Sequence, residues 1–508
     1  MPTQNLRYLF VVLILIIACN PFVAQTVMVT PTPAPTQTPA PTPTPDALSL
    51  YRSSLIPANQ NDLAQLDRPT RYDLTLQFDP TGPTLAGSQE VHYFNRQSIP
   101  LNEIYFRLFA NHPDSGGKIT VTTVSVDGAP VTPTYAAQNT ALRVPLAKPL
   151  APGASAHVHL DFAVTVPRKN TSHYADFIAD DNIVTMPTVY PLIPAYDAKG
   201  WHLEIPPSYG DLVYADISLY AVTMTVPSAM TVIASGSTID TRASGNGTTI
   251  WRMVGAPMRD FDLNVTSRLQ KTSATVGETT VNSWHEPADA EPGKKALQFA
   301  TDALRVFNQR FGTYPYRKLD VIETPTTAGG IEYPSIFAIG RNLYRSDKER
   351  EFFEFATAHE VAHQWWYAMV GNDQVNAPWM DEALAQYSTL IYYEDVYGKS
   401  AAQMILRNYF QGIYDSTKSG GRDAAVNQPV SAFNESDYAS IVYGKGPLFF
   451  DALRKKMGDA LFFQFLRTYF ERFRYKTATP DDVLKTAEEV YGQSLRDVYQ
   501  QWILSPAK

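Results

Sequence analysis

The chain has 508 residues, of which 44% are hydrophobic and 18% are charged, and its formal net charge is −8. At roughly 150 residues per domain, this length indicates two large domains or about three smaller ones. The composition is that of a globular protein and excludes disorder of the whole chain. The negative charge gives no bulk attraction to nucleic acid, so we predict no nucleic-acid partner. Cys19 is the only cysteine, which excludes a disulfide within the chain.

The first 19 residues have the pattern of a secretion signal. Residues 9–18 are all apolar, a run too short to span a membrane as a helix but typical of a secretory signal. The run leads through Ala18 to Cys19, and this ending resembles a bacterial lipobox, in which the cysteine is lipidated. We therefore predict a signal peptide over residues 1–19 and a lipid anchor at Cys19 on the outer face of the cytoplasmic membrane. The alternative is an ordinary secretory signal and a soluble secreted protein.

A proline-rich segment follows the signal. Residues 30–45 read TPTPAPTQTPAPTPTP, with no charged or large side chain. Such a segment cannot bury a core, and its prolines favour an extended, semi-rigid chain. We interpret residues 20–46 as a passive linker that holds a folded body away from a membrane surface.

Hydrophobic periodicity divides the remaining chain into two domains. Residues 47–275 contain many short runs in which apolar and polar residues alternate, as in residues 72–78 and 222–226, and this period of two indicates half-buried strands. We predict a β-sandwich or saddle-shaped domain here. Residues 276–508 show mainly helical periodicity mixed with a strand at residues 319–323, which predicts a mixed α/β domain and an α+β multidomain protein overall.

One helix carries a metal-binding pattern. Residues 346–349 have the spacing of a capping box, so we predict that a helix begins there and runs to Val370, where Gly371 stops it. Within it lie His359, Glu360 and His363. Positions i and i+4 share one helix face, so both imidazoles can reach one ion, and the intervening glutamate can act on a ligand of that ion.

A third metal ligand is predicted from the following helix. Glu382 comes nineteen positions after His363, at the start of a helix that we predict over residues 380–397, before Gly398. Two histidines, one glutamate and an open fourth position are typical of a catalytic zinc site rather than a closed structural one. We therefore predict one zinc ion per chain. The alternative, that the two histidines are ordinary core residues, leaves Glu382 unexplained.

Four motifs together resemble one known family, the gluzincin zinc metallopeptidases of the aminopeptidase N and leukotriene hydrolase type. They are residues 359–365 (HEVAHQW), 379–383 (WMDEA), 329–333 (GGIEY, similar to the family's G-x-M-E-N) and 443–446 (YGKG, similar to Y-x-K-G). The resemblance implies a thermolysin-like catalytic domain and a zinc aminopeptidase that removes N-terminal residues from peptide substrates.

The resemblance also implies a role for each motif residue. Glu360 would take a proton from the attacking water and pass it to the leaving amine, and Tyr443 would donate a hydrogen bond to the developing oxyanion. Glu332 would bind the α-ammonium of the substrate. The backbone at Gly329 and Gly330 would bind the peptide.

The chain also departs from the family pattern. Ile331 replaces a methionine and Tyr333 an asparagine, so the local hydrogen bonding cannot be carried over. A further amine-binding residue of the family, from the β domain, would be expected near residues 190–192.

Other functions remain open on the sequence alone. The same zinc and base could serve an endopeptidase or an epoxide hydrolase, although Glu332 favours recognition of an amine. A non-catalytic, surface-binding lipoprotein on a peptidase scaffold is a further alternative, because fold alone does not determine function.

Overall fold

A computed structural model describes residues 48–169 and 173–506. The predicted signal peptide, linker and lipidation site at Cys19 therefore lie outside the described residues. Among the residues that are described, no helix has the length and apolarity needed to cross a membrane.

The amino-terminal region is built almost entirely of strands. They are β1 (Thr70–Asp79), β2 (Thr84–Phe94), β3 (Leu101–Arg107), β4 (Lys118–Val126), β5 (Ala129–Pro130), β6 (Thr134–Ala136), β7 (Ala141–Leu150), β8 (Ser155–Thr165), β9 (Ile178–Asp180), β10 (Ile183–Met186), β11 (Tyr196–Asp197), β12 (Gly200–Trp201), β13 (Ser218–Pro227), β14 (Thr231–Ala234), β15 (Ser237–Ala243), β16 (Thr248–Met258) and β17 (Leu263–Thr266).

These strands form one large sheet and several small ones. The eight-stranded sheet has the order β15-β16-β13-β1-β2-β8-β4-β5, a four-stranded sheet has the order β14-β17-β10-β9, and β3-β7-β6 form a third. Within β1 the alternate residues Tyr72, Leu74, Leu76 and Phe78 are buried, which is the period-two burial that the sequence predicts. β1 is parallel to β13 and antiparallel to β2.

The carboxy-terminal region combines a small mixed sheet with many helices. Its strands are β18 (Gln270–Val276), β19 (Thr279–His285), β20 (Lys318–Thr324), β21 (Gly330–Ile331), β22 (Ile336–Gly340), β23 (Val370–Gly371) and β24 (Lys476–Thr477). Its helices are α1 (Ala290–Arg310), α2 (Arg341–Arg345), α3 (Arg350–Ala362), α4 (Trp379–Tyr397), α5 (Lys399–Ile405), α6 (Gly412–Ser419), α7 (Glu435–Ser440), α8 (Gly446–Met457), α9 (Asp459–Phe473), α10 (Pro480–Tyr491) and α11 (Arg496–Tyr499). π-Helical segments occupy Leu406–Gln411, Ile441–Lys445 and Gln500–Leu504. Short 3₁₀ turns lie at Tyr51–Ser54, Pro57–Gln65, Phe109–Asn111, Ala137–Asn139, His173–Ala175, Pro287–Asp289, Asp347–Glu349 and Val430–Ala432.

The five-stranded sheet of this region has the order β18-β19-β20-β22-β21. β19, β20 and β22 are parallel, while β18 and β21 are antiparallel to their neighbours. The sheet starts at Gln270, so the predicted division between residues 275 and 276 falls inside β18. An amino-terminal β region followed by a mixed, helix-rich region confirms the predicted α+β class.

The helix that carries the two histidines is shorter than the sequence indicates. A 3₁₀ turn at Asp347–Glu349 precedes α3, and no side chain caps either start, so the predicted capping box is wrong. α3 ends at Ala362 and does not reach Val370. Beyond the helix the chain turns through Tyr367, which has a φ of 134°, and forms β23, which pairs with β24. In contrast, α4 ends before Gly398, which has a φ of 88°, as predicted.

One large hydrophobic core joins the two regions, extending from Leu48 to Ile503, and a small second cluster surrounds Ile322. Arg259, which directly follows β16, connects the two regions through hydrogen bonds. It is 3% exposed, and its guanidinium donates hydrogen bonds to the carbonyls of Ala215 at 3.0 Å, Tyr367 at 2.8 Å and Lys476. One buried cation thus ties the segment before β13 to two segments of the helical region.

Candidate active site

The structure brings the three predicted metal ligands together. Nε2 of His359 lies 3.0 Å from Nε2 of His363 and 3.2 Å from Oε2 of Glu382, and the second histidine lies 3.4 Å from the same oxygen. All three side chains are buried. α3 supplies the first histidine, the residue just after α3 supplies the second, and the first turn of α4 supplies the glutamate.

These donor atoms fit a zinc ion. Tetrahedral bonds of about 2.0–2.1 Å place neighbouring ligand atoms about 3.3 Å apart, which the three observed separations match closely. Nδ1 of His363 lies 2.9 Å from the carbonyl oxygen of Trp366. A proton on Nδ1 makes this hydrogen bond and leaves the Nε2 lone pair for the metal. Two imidazoles and one carboxylate are a donor set that suits zinc.

Glu360 lies against the edge strand β21. A Cβ atom built on Gly330 would lie only 2.4 Å from Cγ and Oε1 of Glu360, so the close approach requires glycine at this position. Oε2 of the glutamate is buried and has no hydrogen-bond partner among the described residues. Burial raises the pKa of this carboxyl well above its ordinary value.

Glu332 directly follows β21 and is 7% exposed. Its Oε1 accepts a hydrogen bond of 3.0 Å from Nε2 of Gln374, and the same amide donates at 2.8 Å to Oδ2 of Asp381. Burial is the main cause that raises the pKa of Glu332. The amide of Gln374 therefore fixes the glutamate beside the metal donors, a role for which the sequence offers no signal.

Tyr333, which departs from the family pattern, contributes through its backbone. Gln364 follows the second histidine, and its Nε2 donates to the carbonyl of Tyr333 at 3.1 Å while its Oε1 accepts from the amide of Ser335 at 2.8 Å. The chain that leaves β21 is thus held against the end of α3 by one amide side chain.

A further carboxylate enters the site from the amino-terminal region. Oxygens of Asp211, Glu332 and Glu382 all lie within 4.8 Å of one another. Asp211 lies in the irregular segment between β12 and β13. Burial, and then the charge of Glu332, raise its pKa well above the ordinary value. The region expected to contribute, residues 190–192, instead contains the buried side chains of Tyr190 and Leu192.

Sequence reasoning missed Asp211 because a lone aspartate in an irregular segment has no spacing that relates it to the motifs. A coarse signal exists only in the Gly210-Asp211 pair, which is typical of any loop.

Tyr443 lies on the π-helix at Ile441–Lys445, and π-helical turns often occur at functional sites. Its ring centroid is 6.2 Å from that of His359, with the planes inclined by 32°. Burial raises the pKa of the phenol well above its usual value, and the nearby Glu382 raises it further. The hydroxyl therefore keeps its proton at neutral pH and can donate a hydrogen bond into the site.

Comparison with known proteins identifies the region that carries this site. Residues 295–502 match the family described as "Peptidase family M1 domain". This segment is similar to M1 peptidase domains. All three metal donors, Glu360, Glu332 and Tyr443 lie within it, whereas Asp211 lies outside.

Curated relatives of the M1 domain include aminopeptidases from a plant and an archaeon. "Aminopeptidase M1-B" of Oryza sativa subsp. japonica is 25% identical over 301 residues, which cover 56% of this chain and 34% of the rice protein. "Probable aminopeptidase 1" of Sulfurisphaera tokodaii is 23% identical, covering 43% and 29%. The chain thus spans about a third of the length of these relatives.

Solved structures share the fold over almost the whole described chain. The M1 zinc metallopeptidase of Deinococcus radiodurans superposes with a TM-score of 0.64 at 20% identity, covering 86% of this chain and 94% of that one. The E323A mutant of that protein, bound to a Tyr-Ser-Ala substrate, gives a TM-score of 0.63 with the same coverage. The chain therefore has the fold of M1 metallopeptidases, with the β region included.

Proposed function

We propose that the protein is a zinc-dependent aminopeptidase that removes N-terminal residues from peptides. The observation that carries this proposal is the position of two carboxylates, the buried Glu332 and the half-buried Asp211, beside the three metal donors. A carboxylate pair next to the reacting centre selects a substrate that presents a cation there. The relatives named as aminopeptidases and the tripeptide-bound mutant structure support the same activity.

The charge of the site favours an ammonium group. Glu332, Asp211, Glu360 and Glu382 gather four carboxyl groups around one proposed dication. An ammonium nitrogen donates along tetrahedral directions, so two acceptor oxygens about 2.8 Å from it lie about 4.6 Å from each other. The oxygens of Asp211 and Glu332 lie within 4.8 Å of each other, so both can accept from one ammonium. A substrate N-terminus held there allows one residue before the scissile bond, which is exopeptidase behaviour.

His359, His363 and Glu382 would hold the zinc ion. When bound, zinc supplies Lewis-acid chemistry, since it polarises the scissile carbonyl and makes water more acidic. Glu360 accepts the proton of the attacking water and delivers it to the leaving amine. Its unpartnered Oε2 and its buried surroundings suit a carboxylate that gains and loses a proton during each turnover.

Tyr443 would stabilise the oxyanion that develops on the scissile carbonyl. Its phenol stays protonated at neutral pH, and its ring lies beside the imidazole of His359. A fixed donor of this kind strengthens its hydrogen bond as negative charge forms on the substrate oxygen.

Secretion and a lipid anchor at Cys19 complete the proposal. The apolar run at residues 9–18, its ending at the sole cysteine and the proline-rich linker support an enzyme tethered to the outer face of the cytoplasmic membrane. Metabolic labelling with a fatty acid should mark the wild-type chain. The Cys19→Ala variant should be unlabelled, and labelling of that variant would contradict the anchor.

Hydrolysis of aminoacyl-coumarin substrates tests the enzymatic activity. Each substrate is supplied with a free or an acetylated amine, and the purified protein is measured with zinc, with a chelator and after zinc is restored. We expect chelator-sensitive cleavage of the free-amine set only. Cleavage of the acetylated set would identify an endopeptidase. If zinc binds and neither set nor longer peptides are cleaved, the protein is a binding protein rather than an enzyme.

A further inference from the structure

An aromatic row extends from the metal donors along one face of α3. Phe352, Phe355 and His359 are spaced by three and four positions, so they lie on the same helix face. The ring of Phe355 is nearly parallel to those of Phe352 and His359, with interplanar angles of 15° and 16° and centroid distances of 6.3 Å and 6.4 Å. Tyr409 stacks on Phe355 at 4.3 Å and 11°.

The outer end of this row is open to solvent. Phe352 is 36% exposed, although its neighbour Phe355 is 4% exposed. Tyr409 is partly exposed and lies on the π-helix at Leu406–Gln411, which packs against the π-helix that carries Tyr443. A partly exposed phenylalanine so close to a catalytic constellation is an apolar surface that a substrate can cover.

The edge strand β21 indicates the direction in which a bound peptide would run relative to this aromatic surface. Along residues 332, 330 and 329, the chain passes from the ammonium-binding Glu332 to Gly330, which contacts Glu360, and then to Gly329. A Cβ atom on Gly329 would lie 3.1 Å from Cζ of Phe352. β21 pairs on one side only, with β22, so its other side can bind an extended peptide. A peptide anchored at Glu332 and cleaved beside Glu360 therefore continues towards Phe352.

We propose that Phe352 and Tyr409, supported from beneath by the buried Phe355, form the pocket for the side chain that follows the scissile bond, and that this pocket selects aromatic and large aliphatic residues. The proposal rests on the aminopeptidase function proposed above and names the substrate class of the same site. An aromatic side chain placed there covers the exposed face of Phe352 and extends the stacked row, and offset stacking adds to the gain from burial.

Dipeptides that differ only in their second residue test this pocket. With the first residue fixed as the one preferred in the coumarin panel, the zinc-loaded wild type should cleave the phenylalanine dipeptide with a kcat/KM about tenfold higher than the glycine dipeptide. Phe352→Ala should reduce that ratio to about two, chiefly by slowing cleavage of the phenylalanine dipeptide. Phe352→Leu should retain an intermediate ratio because it keeps apolar bulk.

Ile99→Ala is the matched control, because Ile99 is 40% exposed and lies in the β region; it should keep the wild-type ratio.

Binding supplies a second readout without turnover. Calorimetry on zinc-loaded Glu360→Gln should show tighter binding of the phenylalanine dipeptide than of the glycine dipeptide, and the added Phe352→Ala change should remove most of the difference.

The outcomes separate the two proposals. If dipeptides are cleaved but the ratio is unchanged in Phe352→Ala, the aminopeptidase function stands and the pocket is refuted. If no free-amine peptide is cleaved, the function itself fails and the pocket with it. Thermal unfolding of each variant shows that a lost ratio does not reflect loss of the fold.

Discussion

Gly330 and Glu360 occupy adjoining space so closely that a methyl group on the glycine would overlap the glutamate, with Cβ 2.4 Å from Cγ. The edge strand and the catalytic helix thus fix each other's position at the point where the proposed base projects. Positioning of this kind matters because a displacement of about 1 Å at a reacting group can cost about a hundredfold in rate.

Gly330→Ala should lower kcat by about ten- to a hundredfold while zinc content stays at one per chain. The added methyl group must displace Glu360, since the nearest atoms are closer than any normal Cβ contact. Steady-state kinetics with metal analysis measure both effects. Gly329→Ala is the comparison, because its Cβ would meet only Phe352 at 3.1 Å and Ala356 at 3.8 Å. Equal losses in the two variants would contradict the assigned contact.

Asp211→Asn should weaken the recognition of free amines. Replacing one of two carboxylates at the ammonium site lowers kcat/KM for free-amine substrates by about tenfold or more, because a charge-assisted hydrogen bond is lost. Glu332→Gln should lower kcat/KM further than Asp211→Asn does, because the hydrogen bond from Gln374 fixes the Glu332 carboxylate beside the metal donors. The substrate panel used with free amines measures both variants. Wild-type kinetics in Asp211→Asn would show that the β region contributes no charge to binding.

Tyr443→Phe should reduce kcat by about a hundred- to a thousandfold with a smaller change in KM, because the lost hydrogen bond strengthens mainly in the transition state. The variant keeps the ring and should retain zinc. Tyr135→Phe, which alters an exposed tyrosine of β6, serves as the control. If Tyr443→Phe changed KM alone, the hydroxyl would bind the ground state and would not stabilise an oxyanion.

His202 predicts a pH-dependent contribution to stability. Burial opposes its charge, but Glu204 and Asp197 outweigh burial and raise the pKa of His202 to about 9. Its Nε2 lies 2.8 Å from Oδ2 of Asp197. Because this pKa exceeds the unfolded value, the stabilisation is complete below about pH 6.5 and is lost as the pH rises through about 9.

The variant that checks this is His202→Asn. Denaturant unfolding should show a difference in unfolding free energy between wild type and variant that is large near about pH 6 and small near about pH 10. A difference that does not vary with pH would mean that folding leaves the pKa of His202 unchanged.

The metal donors were predictable from the sequence because their geometry is local. His359 and His363 are one helical turn apart, and Glu382 lies in the first turn of the next long helix. The periodicity of these two helices is therefore nearly sufficient to identify the three metal donors. Asp211 lies far upstream, and its approach to Glu332 depends on how the irregular segment before β13 packs against the mixed sheet. No local pattern encodes such a contact.

The end of α3 shows a second limit of sequence reasoning. The predicted extension to Val370 is helical by local propensity, yet tertiary contacts override it. Trp365 and Trp366 are fully buried, and Arg259 binds the carbonyl of Tyr367. The sequence indicates a helix that ends at Val370, whereas packing of Trp365 against α1 and of Trp366 against α9 ends it at Ala362, eight residues earlier.

The buried guanidinium of Arg259 also limits how this protein can be shortened. The matched segment at residues 295–502 contains the metal donors, but it excludes Arg259 and the two strands β18 and β19. In a fragment trimmed to that segment, β20 would lose its neighbour β19. The carbonyls of Tyr367 and Lys476 would lose the hydrogen bonds that Arg259 donates. The matched segment therefore depends on contacts from outside it, and the β region acts as an internal scaffold for it.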